Sequence, residues 1–143
     1  MDFEKRIREM KELKLEARIE NLPQVLKFID GELEESGCSM KNQMKIDMAV
    51  EELYVNIAHY AYRDDIGDAT IRFSCDGESA MITLIDSGIF YDPLQKDDPD
   101  VSLSAEERQI GGLGIYMVKN SMDDVKYEYS NNQNITTITK SLK

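Results

Sequence analysis

Two runs of alternating residues, Ala69 to Cys75 and Ala80 to Ile85, flank an Asp76-Gly77 dipeptide, and that spacing commits the middle of the chain to an antiparallel hairpin. Strands joined by so short a turn cannot run parallel, so the rest of the sheet must be built outward from this pair. Ahead of the hairpin, Leu13, Leu15, Ala17 and Ile19 alternate with Lys14, Glu16 and Arg18, which predicts a strand over Leu13 to Ile19 with one face buried. Asn21 and Pro23 then signal a helix start, and Val25, Leu26, Ile29 and Leu33 form an amphipathic stripe closed by Gly37. A longer helix is predicted from Lys41 to Tyr62. Behind the hairpin, Gly114 to Met122 reads as a third helix, and Val125 to Tyr129 and Ile135 to Lys140 as strands around Asn131-Asn132. The expected fold class is an α+β two-layer sandwich, a mostly antiparallel sheet of about five strands with three helices packed on one face.

No repeat, low-complexity tract or linker interrupts the 143 residues, so a single domain over 1–143 is expected. Phe3, Ile7 and Met10 fall at helical spacing, and residues 1–12 read as a short amphipathic helix or a docking arm. With a formal net charge of −11 the surface repels phosphate-rich partners, which argues against direct nucleic-acid or anionic-membrane binding. The charged start Met1-Asp-Phe-Glu-Lys-Arg is unlike a secretory leader and no run reaches membrane-spanning length, so a cytoplasmic location is expected. Cys38 and Cys75 lie outside any C-x-x-C pattern and read as reduced structural thiols, and one histidine makes a zinc site improbable.

Three short segments carry chemistry. On the long helix, Ile46, Val50, Leu53, Ile57 and Tyr60 cluster within roughly 80° of arc as the core stripe. Tyr54, Asp47, Ala58 and Glu51 fall toward solvent by the same geometry. Glu52 and Asn56 sit one turn apart on the other flank, among Met48, Ala49 and Val55, where an ionised carboxylate is costly unless a charge meets it. Either Glu52 snorkels outward at the core rim, or it is a general base beside an Asn56 whose amide oxygen is a hard ligand for Mg²⁺. Asp86 ends an apolar strand and is followed by Ser87-Gly88, which is either a plain turn or a carboxylate placed for an exocyclic amine such as adenine N6, with Gly88 admitting the ring. Phe90 and Tyr91 could then floor the pocket before Pro93 ends the turn. Gly111-Gly112-Leu-Gly114 opens a helix, as a hinge or as a nest of backbone N–H groups for phosphates. The acidic stretch 93–111 before it is a candidate lid. Its Arg108 either pairs with Glu106 or Glu107 or closes over a terminal phosphate. No Walker or dinucleotide fingerprint is present.

With these three boxes in order, the chain resembles the Bergerat-fold (GHKL) ATPases, and within them the small bacterial anti-sigma-factor serine/threonine kinases of partner-switching systems. The resemblance spans nearly the whole sequence and rests on Glu-x-x-x-Asn on a helix, Asp-x-Gly with Asp92-Pro93 after a strand, and Gly-Gly-x-Gly opening a helix. It implies ATP and Mg²⁺ as cofactors, Glu52 as catalytic base and Asn56 as metal ligand. It further implies Asp86 and Gly88 at adenine, Gly112 and Gly114 as a phosphate-binding hinge, and Thr136 on the last strand at the adenine end. The implied partners are an anti-sigma-factor antagonist (STAS-domain) protein, which is phosphorylated, a sigma factor, and a second copy in a homodimer. Ile135 stands where many relatives carry glycine, and Tyr60 where many carry histidine, with His59 one place earlier. A non-catalytic ATP-binding switch module is the alternative reading.

Overall fold

The computed structural model describes residues 10–63, 65–95 and 112–143. Five strands form one antiparallel sheet: β1 (Lys11–Glu16), β2 (Asp68–Cys75), β3 (Ser79–Asp86), β4 (Asp124–Ser130) and β5 (Gln133–Ser141), in spatial order β1-β2-β3-β5-β4. Helices α1 (Leu22–Glu35), α2 (Met40–Asn56) and α3 (Gly112–Ser121) pack on one face, giving the expected α+β layers. The hairpin that anchors the sheet is closed by Asp76, whose Oδ1 accepts from the N–H groups of Glu78 at 2.9 Å and Ser79 at 2.8 Å. At the β4–β5 turn, Asn131 and Asn132 adopt φ of 54° and 61°, the left-handed pair that matches strand twist.

Alternation sends Ile71 and Phe73 of β2, Ala80, Ile82 and Leu84 of β3, and Ile138 of β5 inward, against Val25, Ile29 and Leu33 of α1, Ile46, Val50 and Leu53 of α2, and Ile115 and Val118 of α3. Register then decides what sits at the end of the sheet. Ala69 pairs with Asp86, Asp86 with Asn134, and Asn134 with Tyr129, so the central strands finish on a polar pair instead of the apolar rows below it. Helix α2 is started by Ser39, whose Oγ accepts from Asn42 N–H at 3.2 Å. Asn42 in turn donates to the carbonyls of Ser141 and Lys143 at 2.8 and 2.9 Å, which ties the end of β5 to the start of the helix.

Four expectations are corrected. The first strand ends at Glu16: Ala17 N–H bonds Gly67 O at 2.8 Å, the chain then enters a single 3-10 turn at Ile19–Asn21, and Ile19 is exposed. That strand also begins at Lys11, inside the segment expected to be a helix or arm, whose residues 1–9 lie outside the described residues. Tyr54 is fully buried, not solvent-facing, because its hydroxyl reaches over to donate to Arg18 O at 2.6 Å, with Glu16 O at 3.3 Å. The long helix changes pitch at Asn56, and Ile57–Ala61 form a π-helical turn. The extra residue per turn rotates everything beyond it, so Tyr60 leaves the core stripe and is 53% exposed. Cys38 and Cys75 are both free.

Between α1 and α2, Asp47 lies beside Asp30 and within reach of Glu34 and Glu51, and its Oδ1 is buried with no hydrogen-bond partner among the described residues. Burial, then the contact with Asp30, pushes its carboxyl from the ordinary 3.8 up to about 8. A carboxyl with a raised folded-state value stabilises the protonated fold, and this contribution is lost as pH rises through that range. Asp47→Asn is therefore expected to flatten the fall in denaturation midpoint between weakly acidic and mildly alkaline pH. A pH dependence as steep as that of the unsubstituted chain would contradict the assignment. Tyr54→Phe leaves the Arg18 carbonyl without its partner and should cost about 1–3 kcal/mol, read as a lower urea midpoint with unchanged slope.

Candidate functional site

A pocket opens where the polar end of the sheet meets the C-terminal end of α2. Leu84 and Asp86 of β3 and Asn134 and Thr136 of β5 form one wall. Leu53, Asn56 and Ile57 from α2 and its π turn form the other, with Tyr60 and Ala61 beyond them and Ile89, Tyr91 and Pro93 closing the side. The π turn is what lets Tyr60 line this space, and an irregular turn inserted in a helix is common at functional sites.

Asp86 is buried, and its Oδ1 accepts from Gly88 N–H at 2.9 Å and from Asn134 Nδ2 at 3.0 Å. Burial raises its pKa, opposed by those two bonds, which favour the carboxylate. Its Oδ2 takes no hydrogen bond among the described residues and belongs to a side chain that lines the pocket, so one acceptor is kept for a donor from outside. Asn134 is fully used: Nδ2 also donates to Ile89 O at 2.8 Å, and Oδ1 accepts from Tyr91 N–H at 3.1 Å and from the Tyr127 hydroxyl. Its role was not readable from sequence, because the β3–β5 pairing that sets it beside Asp86 joins segments 48 residues apart. Gly88 packs on the π turn so closely that a Cβ would stand 2.3 Å from Ala61 O, and Ile89 N–H bonds that same carbonyl at 2.9 Å. Only glycine fits there. Tyr62 completes the joint, accepting from Ser87 N–H at 2.7 Å and donating to Asp68 O at 2.6 Å.

Glu52 and Asn56 meet as the helical spacing predicts, Asn56 Nδ2 donating to Glu52 Oε1 at 3.4 Å. Burial raises the Glu52 pKa, the Asn56 bond lowers it and Glu51 raises it again. Glu52 does not line that pocket. It lies on the far side of Asn56, in a groove between α2 and α3, with its carboxyl packed against Gly114, where a Cβ would stand 2.1 Å from Glu52 Cδ. Asn56 Oδ1 accepts no hydrogen bond among the described residues, so a hard cation would find one protein ligand there. The described residues hold no cluster of three or more acidic, histidine or cysteine side chains suited to a metal.

Gly112 begins α3, as expected of the glycine run, while Gly111, Arg108 and lid residues 96–111 lie outside the described residues. Thr136 lines the pocket one row below Asn134. Phe90 is corrected: it faces away from the pocket, 54% exposed, with its ring edge-on to Tyr127 and Tyr129, and Tyr91 alone of the two aromatics lines the wall. His59 is exposed beside Tyr60 and does not enter the pocket.

Comparisons with known proteins bear on the family and the fold. The sequence profile of the histidine kinase-like ATPase domain matches residues 15–140. The serine-protein kinase RsbW of Bacillus cereus (strain ATCC 10987 / NRS 248) is 27% identical over 119 residues, covering 80% of this chain and 74% of that protein. The protein of the same name from Bacillus mycoides (strain KBAB4) matches at the same identity and coverage. Among solved structures, the RsbU and RsbW domains of Rv1364c from Mycobacterium tuberculosis share the fold at a TM-score of 0.63 and 17% identity, over 93% of this chain and 32% of that one. Among the described residues no helix is long and apolar enough to cross a membrane. The profile match over most of the chain, on a sheet whose central strands end at Asp86 and Asn134, means that this protein belongs to the histidine kinase-like ATPase domain family.

Proposed function

We propose that this protein is an ATP- and Mg²⁺-dependent serine/threonine kinase that regulates a sigma factor by partner switching, phosphorylating an antagonist of the STAS-domain type. One observation carries the reading: Asp86, Asn56 and Thr136 line a single pocket, and Asn56 hydrogen-bonds Glu52 at its rim. The kinship with proteins named serine-protein kinase supports the choice of acceptor. Cytoplasmic location and pairing as a homodimer belong to the same proposal.

In this reading Asp86 Oδ2 would accept from the adenine amino group, with Thr136 beside the ring, Leu53, Ile57 and Tyr91 supplying apolar walls, and Gly88 acting at the adenine end through its bond to Asp86 Oδ1. Asn56 Oδ1 would ligate the cation, Gly112 and Gly114 would offer backbone N–H groups to the phosphates at the start of α3, and Arg108 would supply charge to the terminal phosphate. Bound Mg-ATP supplies the transferable phosphoryl group and the cation that offsets its charge. Glu52 takes the proton from the acceptor hydroxyl as the new oxygen–phosphorus bond forms and the bond to the leaving ADP oxygen breaks. Its partly buried setting serves that role, since a raised pKa makes a carboxylate a better base. Gly114 keeps the carboxylate in place by leaving no room for another side chain.

Two outcomes test the proposal. Glu52→Gln should reduce transfer of labelled phosphate to a STAS-domain protein of the same genome by about 10²-fold or more while leaving the ATP dissociation constant within a few-fold. Transfer at the unsubstituted rate would remove Glu52 from the chemistry, and partner regulation without any transfer would favour a non-catalytic switch. Because the base must be ionised, kcat should fall as pH falls through a value above the ordinary glutamate range, and stopped-time assays across weakly acidic pH will read it.

A further inference from the structure

We propose that the groove between α2 and α3 docks the phosphoacceptor protein, taking an apolar segment with an acidic flank along Met44 and Met48 and guiding its hydroxyl to Glu52. The inference rests on the kinase reading and adds where, and by what chemistry, the acceptor is recognised.

The groove stands out first by its exposed methionines. Met48 of α2 and Met117 of α3, 54% and 47% exposed, line it from its two sides, and Met44 and Met40, 60% and 73% exposed, continue from Met48 at every fourth residue toward the start of α2, outside the groove itself. These four large apolar side chains lie outside the core cluster of the described residues and leave apolar surface open. Methionine is unbranched and polarisable, so it moulds to an incoming surface at low cost in fixed shape.

Charge along the same helix face gives the occupant its polarity. Counting along α2, Lys41, Lys45, Met48, Glu52 and Val55 share a face, so two lysines stand at its N-terminal end and Glu51 and Glu52 at the other. On a chain of net charge −11 this cationic end, which Lys45 shares with nearby Asp123, selects an acidic flank on the partner. The acidic end needs a neutral proton donor, and an acceptor hydroxyl is one. Glu52 lies in the groove and Asn56 in the pocket beyond it, so a nucleotide and an acceptor approach the same carboxylate from opposite sides without competing for space.

The test uses the full chain and the STAS-domain protein that the unsubstituted kinase phosphorylates, with binding followed by titration calorimetry and transfer by steady-state kinetics. Met44→Glu with Met48→Glu should raise the KM for the acceptor about tenfold or more and weaken its binding in parallel, with the ATP dissociation constant unchanged. Lys41→Glu with Lys45→Glu should do the same and reduce the salt sensitivity of binding. Met48→Leu should restore near-normal KM, and Ile66→Glu, on an exposed site elsewhere, should have no effect. An acceptor KM within twofold of normal for both double variants overturns the docking site while leaving the kinase reading intact. A sedimentation shift from dimer to monomer with unchanged acceptor KM would assign the face to a second copy of the chain, and also overturns it. If no STAS-domain protein is phosphorylated by the unsubstituted chain, the kinase reading fails and the docking site falls with it.

Discussion

The hydrogen bond from Asn134 to Asp86 is the constraint on which the rest of the site is arranged. It joins the ends of the two central strands, and both side chains are buried, so neither can be exchanged for an apolar residue without stranding the other. Through Asn134 it fixes the backbone at Ile89 and Tyr91, and through Gly88 it fixes the turn that packs on Ala61. The segment leaving β3 is therefore clamped to both β5 and the end of α2. A cavity results because the sheet and helix are held apart by polar partners where apolar side chains would otherwise close the gap.

That clamp also explains how the two halves of the site are related. Asp86 addresses the pocket from the sheet, whereas Asn56 addresses it from the helix with Glu52 behind it in the α2–α3 groove, and the π turn at Ile57–Ala61 is the splice between them. A regular helix would carry Tyr60 back into the core and bring Ala61 out of line with Gly88. The irregular turn gives up regular i→i−4 bonding to point one aromatic ring at the pocket and one carbonyl at the turn that follows β3. Tyr62, immediately after it, hydrogen-bonds the backbone of Asp68 at the start of β2 and of Ser87 just past β3, and holds the splice in register.

Local signals were legible in the sequence to the extent that they were local. The Asp76-Gly77 hairpin, the stripe of α1 and the neighbourhood of Glu52 and Asn56 all follow from spacing along a single element, and each is found where periodicity puts it. Tyr54 was misplaced because a fixed angle per residue ignores a hydroxyl that can pay for burial by bonding a distant carbonyl. Tyr60 was misplaced because that angle stops applying after Asn56. Asn134 was invisible, since its meaning depends on which strand lies beside β5. The only hint was its distance from the Asn131-Asn132 turn, which fixes its partner in β4 and says nothing of β3.

The contact between Gly114 and Glu52 makes the spacing of two helices a chemical variable. Helix α3 touches the carboxylate through a bare Cα, with no side chain to cushion it, so the gap between α2 and α3 sets how far that carboxylate can swing and how much water can reach it. Anything that wedges the helices apart by the width of a methyl group would rehydrate Glu52 and remove the burial that raises its pKa. Interhelical distance here sets the hydration of Glu52, and a surface event on either helix reaches its carboxylate without altering a single residue around the pocket.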